Sequence, residues 1–246
     1  MKQTLLWILI FVGLTARSQP NEQMKYILRY GIIRGGKVIL ESRDTVFQSK
    51  EAVHYYMRAQ TTGIADKIYK VDDIYESIVD RKTHLPLKSV RNVRERKYRY
   101  YNEIIFNNKT DTIISQKSGK KVAPQNMVDI LSLYFYMRKP GFLEKLKKDG
   151  TIEMPVSHDD DIFMMQVNYL GMETIKTILG EKQCMIVSPI IKKGKVLERD
   201  DGLRFYITSD GKYLPVFMEF DMKVGAVKCE LDDYRVNGIS KGITDL

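Results

Sequence analysis

The residues best equipped for chemistry are three histidines, His54, His84 and His158, and their spacing assembles no metal site: no HExxH pair or other ligand interval links them. His158-Asp159-Asp160-Asp161 could attract a cation, but it lacks the glycine turn and later glutamate of a calcium loop and reads as a hairpin tip. Ser118-Gly119-Lys120-Lys121 has SxxK spacing without the companion KTG, and no GxSxG elbow occurs. Glycine-rich phosphate loops are absent. The acid pairs Asp72-Asp73 and Asp200-Asp201 are sequence neighbours, so on a strand they face opposite ways and a shared acid–base role is disfavoured. The expectation is a protein that is not an enzyme, with no catalytic residues, metal or cofactor; an unrecognised hydrolase ranks last.

What the chain does supply is aromatic and methionine surface: Tyr55-Tyr56-Met57, Tyr98-x-Tyr100-Tyr101, Tyr134-Phe135-Tyr136-Met137 and Phe163-Met164-Met165. Methionine adapts to varied apolar shapes and tyrosine joins an apolar body to a polar tip, so both suit an acyl-chain pocket and both suit an ordinary core. The pocket candidates are Tyr55, Met57, Tyr98, Tyr100, Met127, Leu131, Tyr134, Met137 and Met165.

The elements that must position them are mostly strands. Met24 to Arg34 and Lys37 to Phe47 are strand-length runs, and Gly35-Gly36 between them predicts a tight turn. Further strands are expected at 52–61, 70–80, 85–95, 97–106 and 111–116, and again at 151–157, 162–170, 173–179, 183–192, 203–208, 214–220 and 224–234. Between the two sets, Met127 to Arg138 has helical apolar spacing, with Pro124 before it and Lys139-Pro140-Gly141 after it. Its apolar stripe is broad enough that sheet should wrap it. A short second helix is expected at 141–148. Tyr75-x-Ser77-x-x-Asp80 before Leu85-Pro86 echoes Phe205-x-x-Thr208-x-Asp210 before Leu214-Pro215, through duplication or through common hairpin chemistry. The predicted fold is mainly β: a large curved antiparallel sheet or half barrel with one buried helix across its concave face.

The N-terminal Lys2, the apolar run Leu5 to Leu14 and Ala16-Arg17-Ser18 predict a signal peptide over residues 1–18, leaving one domain from 19 to 246. Ten apolar residues rise only about 15 Å as a helix, half the hydrocarbon thickness. No cysteine follows the run, so a periplasmic protein without a lipid anchor is expected. The whole chain carries +9, and removing Lys2 and Arg17 leaves a moderately basic +7. The bases are dispersed, which disfavours nucleic acid and leaves an anionic membrane surface open. Cys184 and Cys229 sit in separate strand runs with two more between them, beyond disulfide reach unless the sheet brings them together. Asp44-Thr45-Val46 and Asp111-Thr112-Ile113 resemble a short O-glycosylation motif of exported Bacteroidetes proteins.

Tyr30-Gly31 with Gly35-Gly36, Tyr69 to Ser77, Leu85-Pro86, Asp129 to Arg138, Tyr169-Leu170-Gly171-x-Glu173 and Gly180-x-x-x-Cys184 together resemble the exported bacterial domain-of-unknown-function family 3108, with a Bacteroidetes style. The resemblance spans nearly the whole mature chain and carries over no site residues. The strand-rich, helix-plugged layout is also similar in architecture to the periplasmic lipoprotein carriers LolA and LolB, which implies a concave apolar face. The leading functional reading is a monomeric, non-enzymatic protein that binds or carries a lipid or other apolar ligand, with the Met127 to Arg138 helix as a lid hinged at its flanking segments. The alternative is an envelope interaction or structural module that docks a partner protein or the membrane surface.

Overall fold

Alternation builds the first strand and assigns its faces. In β1 (Glu22–Tyr30), Met24 and Tyr26 are fully buried while Lys25 and Arg29 pair with carboxylates on the other side. The computed structural model describes residues 21–190, 200, 202–223 and 225–242; the predicted leader and most of the basic run at 190–195 lie outside them. β1 lies inside a sixteen-stranded sheet. On one side follow β2 (Ile33–Phe47), β3 (Lys50–Thr61), β4 (Asp72–Asp80), β5 (Pro86–Glu95), β6 (Tyr98–Asn107), β7 (Thr112–Ser115) and β8 (Gly119–Val122). On the other, β15 (Gly225–Val236), β14 (Pro215–Met222), β13 (Leu203–Thr208), β12 (Gly180–Pro189), β11 (Asp161–Thr177), β10 (Thr151–His158) and β9 (Val128–Asp129) run back through the chain, and β16 (Ile239–Ser240) pairs with β15. Among the described residues every strand pairing is antiparallel except β9 with β10.

Glycines account for the main departures from the sequence-based expectation. The first turn falls at Gly31, with φ 55°, rather than at Gly35-Gly36. Those two glycines lie inside β2, where the register against β1 slips: Leu28 faces Gly36 and Arg29 faces Arg34. A Cβ on Gly36 would stand 2.7 Å from the Gln60 carbonyl oxygen, so close backbone approach demands glycine there. Likewise the two strands expected over 162–179 are one, β11, which bends at Gly171 (φ 133°) beside a register slip against β12. A short helix, α1 (Gly63–Ile68), and strand β8 were not signalled.

The central helix, α2 (Ile130–Met137), begins three residues later than its apolar spacing suggests. Asp129 is its cap: the carboxylate accepts from the amides of Leu131 and Ser132, both at 3.0 Å, and Ser132 Oγ accepts from the Asp129 amide. This reciprocal box fixes the start and leaves Val128-Asp129 extended beside Val156-Ser157. A second helix, α3 (Pro140–Asp149), starts on its proline and ends at Gly150 with φ 78°.

Leu131, Leu133, Tyr134, Phe135 and Met137 of α2 share one apolar cluster with residues of both halves of the sheet, from Tyr26, Tyr55 and Val79 to Phe205, Leu214 and Met218. One eight-residue helix reaches both halves because the sheet curls around it. Tyr55 stacks on Phe135 with ring centroids 3.8 Å apart.

The hairpins β4–β5 and β13–β14 match in detail. In each the register slips one step before the proline, so that Val79 faces Pro86 and Ile207 faces Pro215. The Asp80 amide then donates to the Leu85 carbonyl, and the Thr208 amide to the Leu214 carbonyl, both at 2.9 Å. One carboxylate oxygen of Asp80 accepts from the amides of Lys82 and Thr83, and one of Asp210 from the amide of Lys212, as the sequence echo implied.

Candidate functional site

The nine predicted pocket residues do not line one pocket. Tyr55, Met127, Leu131, Tyr134, Met137 and Met165 are buried in packed side chains, and Met57 packs partly against them. The Tyr26 hydroxyl lies 2.9 Å from that of Tyr134 and donates to the Pro215 carbonyl. Burial raises both phenols well above the usual tyrosine range, so they stay protonated. Tyr98, by contrast, is 51% exposed at the start of β6 and does not reach the interior. Tyr100 and Leu131 alone border an interior cleft.

That cleft lies where the two ends of the sheet approach each other. No ladder joins β8 to β9 or β10 among the described residues; side chains close the seam instead. From the β10–β11 turn, Asp159 pairs with Arg91 of β5, while Asp160 takes a hydrogen bond from Ser118 (2.9 Å) and the ammonium of Lys121. Ser118 and Lys121, the SxxK pair, thus both grip Asp160. Beneath the latch, Ile104, Phe106, Ile113, Ala123 and Met127 form a small apolar cluster of their own. The cleft, also lined by Asn102, Asp129, Ser157 and His158, holds about 30 Å³, room for about a water molecule and too little for an acyl chain. Burial raises Asp129 despite the hydrogen bonds it accepts from Ser77 and Ser132, and burial with the nearby Arg91 charge lowers His158. Ser157 Oγ is buried with no hydrogen-bond partner among the described residues.

The other chemistry-bearing residues are scattered. His54 pairs with Glu76 at 2.8 Å, and His84 lies in the β4–β5 turn. Asp72 faces outward to Arg58 while Asp73 is buried against the Arg94 amide, the opposed faces expected of neighbours on a strand. Both cysteines are free thiols, with β13 and β14 between their strands. Asp201 lies outside the described residues, so the Asp200-Asp201 pair has no geometry to report.

A larger concavity lies on the outside of the first half. Ile105 and Ile114 are cross-strand partners, and their chain neighbours Ile104, Phe106 and Ile113 are all buried, so alternation turns Ile105 and Ile114 outward. With Phe47, Leu85 and Leu87 they line an open groove of about 700 Å³. Lys50, Lys109 and Lys120 border it. The doublets Ile104-Ile105 and Ile113-Ile114 break alternation in the sequence and were the available signal for this face. A second open groove, about 590 Å³, lies outside the other half over Tyr206 and Phe217, among Glu173, Glu219, Glu230 and Lys228. Of its charges, Glu230 pairs with Arg29 and Glu219 with Arg204.

The family described as protein of unknown function (DUF3108) matches residues 25–232. The chain belongs to the DUF3108 family. None of the curated proteins matches it in sequence. Among solved structures it is similar to a β-barrel-like protein of domain of unknown function DUF1849 from Brucella abortus, with a TM-score of 0.58 and 10% identity over 88% of this chain and 97% of that one. At that identity the likeness concerns the fold. It places this DUF3108 chain among curved, barrel-like β proteins.

Proposed function

We propose that this DUF3108 protein is a non-enzymatic binding protein of the periplasm that takes up a lipid or another apolar ligand. The groove of about 700 Å³ over Phe47, Leu85, Leu87, Ile105 and Ile114 carries this reading, because its volume suits a small ligand and its floor is apolar. The architectural likeness to lipoprotein carriers supports an apolar ligand, but here the concave side is occupied by α2 and α3, which moves the site to the convex side. The predicted leader supports the compartment. Native mass spectrometry and lipid extraction of the protein recovered from the cell envelope test it: the native chain should retain lipid, and Ile114→Glu should lose it. Retention by Ile114→Glu would remove the groove as the site, and a native chain that is always empty would overturn ligand binding.

A second reading, docking of an envelope protein, draws on Val122 (82% exposed), which lies across the β7–β8 ladder from the groove residue Thr112. Crosslinking in cells that recovers one reproducible partner through this face, with no lipid bound, favours it.

A further inference from the structure

Resting on the groove reading, we propose that its occupant is an amphiphile with a phosphate head, its chain along the apolar floor and its head between Lys109 and Lys120. The groove is electrically asymmetric. At the end near the β2–β3 and β4–β5 turns, Lys50 and Asp80 both line the groove, and the Asp80 carboxyl sits below its usual range: burial would raise it, but turn hydrogen bonds, helped by the Lys50 charge, outweigh that. At the other end no carboxylate lines the groove, and the Asp111 carboxylate of the same turn accepts from Gln125 at 3.1 Å. Lys120 lies directly across the ladder from Ile114, and Lys109 sits in the β6–β7 turn beside Thr110 and Thr112. Neither lysine forms an ion pair among the described residues, although Lys88 and Lys121 nearby both do.

Two exposed ammonium groups on one rim match the charge of about −1.5 to −2 on a phosphate monoester better than that of one carboxylate. Thr110 and Thr112, hydrogen-bonded to each other at 2.9 Å, add hydroxyls at the same end. The apolar residues then continue away from the lysines, from Ile114 through Ile105 on the neighbouring strand to Leu87, Leu85 and Phe47. A head-to-tail molecule is therefore read in one direction. The concavity of the site favours a single lipid molecule over a flat membrane surface, which would need protruding apolar side chains.

Binding of dodecyl phosphate and of dodecyl maltoside, each below its micelle threshold, tests this by calorimetry on the full mature chain. Dodecyl phosphate should bind at least about tenfold more tightly, an advantage that added salt erodes. Lys109→Gln with Lys120→Gln should abolish that advantage and leave dodecyl maltoside unaffected. Equal affinities in the native chain, or a double variant that keeps the preference, would overturn the phosphate assignment while leaving the apolar groove intact. Failure of both detergents to bind would remove the groove reading itself. Inorganic phosphate competing at the same concentration as dodecyl phosphate would mark a simple anion site, and binding only to vesicles of acidic phospholipid would mark a membrane surface; either result overturns the proposal.

Discussion

Arg138 sits at the end of α2 with its guanidinium nearly enclosed, and two of its nitrogens contact the Glu22 carboxylate at 3.0 and 3.2 Å. Tyr234 donates to the same carboxylate at 2.8 Å, and Arg138 also donates to the Tyr213 carbonyl. Burial alone would raise Glu22, but the Arg138 charge and these hydrogen bonds outweigh it and hold the carboxyl below its usual value. A depressed acid contributes stability above its unfolded pKa and loses it as pH falls through the lower folded value. Glu22→Gln should therefore cost about 3–5 kcal/mol in urea melts at neutral pH, since it strands a buried cation, and should flatten the acid side of the stability profile. The two cysteines yield a second expectation. Burial pushes the Cys184 thiol up to about 12 and Cys229 higher still. Neither should react with a thiol reagent in the folded protein, and both should react once denaturant unfolds it.

At the scale of elements, α2 is a structural plug. The segments expected to hinge a lid are built into structure: Lys120-Lys121 lies in β8, and Pro140-Gly141 opens α3. The Asp129 carboxylate takes the Ser77 hydroxyl at 2.6 Å at one end of α2, and Arg138 holds Glu22 at the other. Swinging the helix out would also expose five large apolar side chains, each worth about 1.5–3 kcal/mol of burial. The seam is the weaker boundary, since side chains replace a backbone ladder there. Asp160→Ala removes the carboxylate that Ser118 and the Lys121 ion pair hold, leaving Lys121 only its 2.7 Å bond to the residue-160 carbonyl, and should speed amide exchange in β8 and the β10–β11 hairpin. Exchange in β1 and β2 should stay unchanged; uniform acceleration would show that the latch is not local.

Across the whole molecule, the pairing of β1 with β15 unites the two meanders, with Tyr26 facing Leu231 across most of the chain. Such non-local closure costs loop entropy before it gains contacts, so folding should be slow for the chain's size. Removing residues 225–242 deletes β15 and β16 and strips the edge of both halves, exposing Met24 and Tyr26. The shortened chain should lose its cooperative urea transition; a sharp transition at the native midpoint would show that the first half folds alone.

The amino-acid sequence by itself determined the strand-rich curved sheet, the apolar central helix and the paired aspartate–Leu-Pro hairpins, because alternation, helical spacing and turn chemistry act between near neighbours. It also showed the opposed faces of Asp72 and Asp73. It did not distinguish a bulge glycine from a turn glycine: Gly36 is set by the Gln60 carbonyl arriving from another strand. Nor did it separate core from pocket, since Tyr134 and Tyr98 belong to similar aromatic clusters and only the curl of the sheet buries one and leaves the other exposed. The groove is the clearest case. Phe47, Leu85 and the set Ile105, Lys109, Ile114 and Lys120 come from three stretches of chain, β2, the β4–β5 turn and the β6–β7–β8 meander, and register and curvature across the sheet, which no local pattern encodes, bring them onto one face.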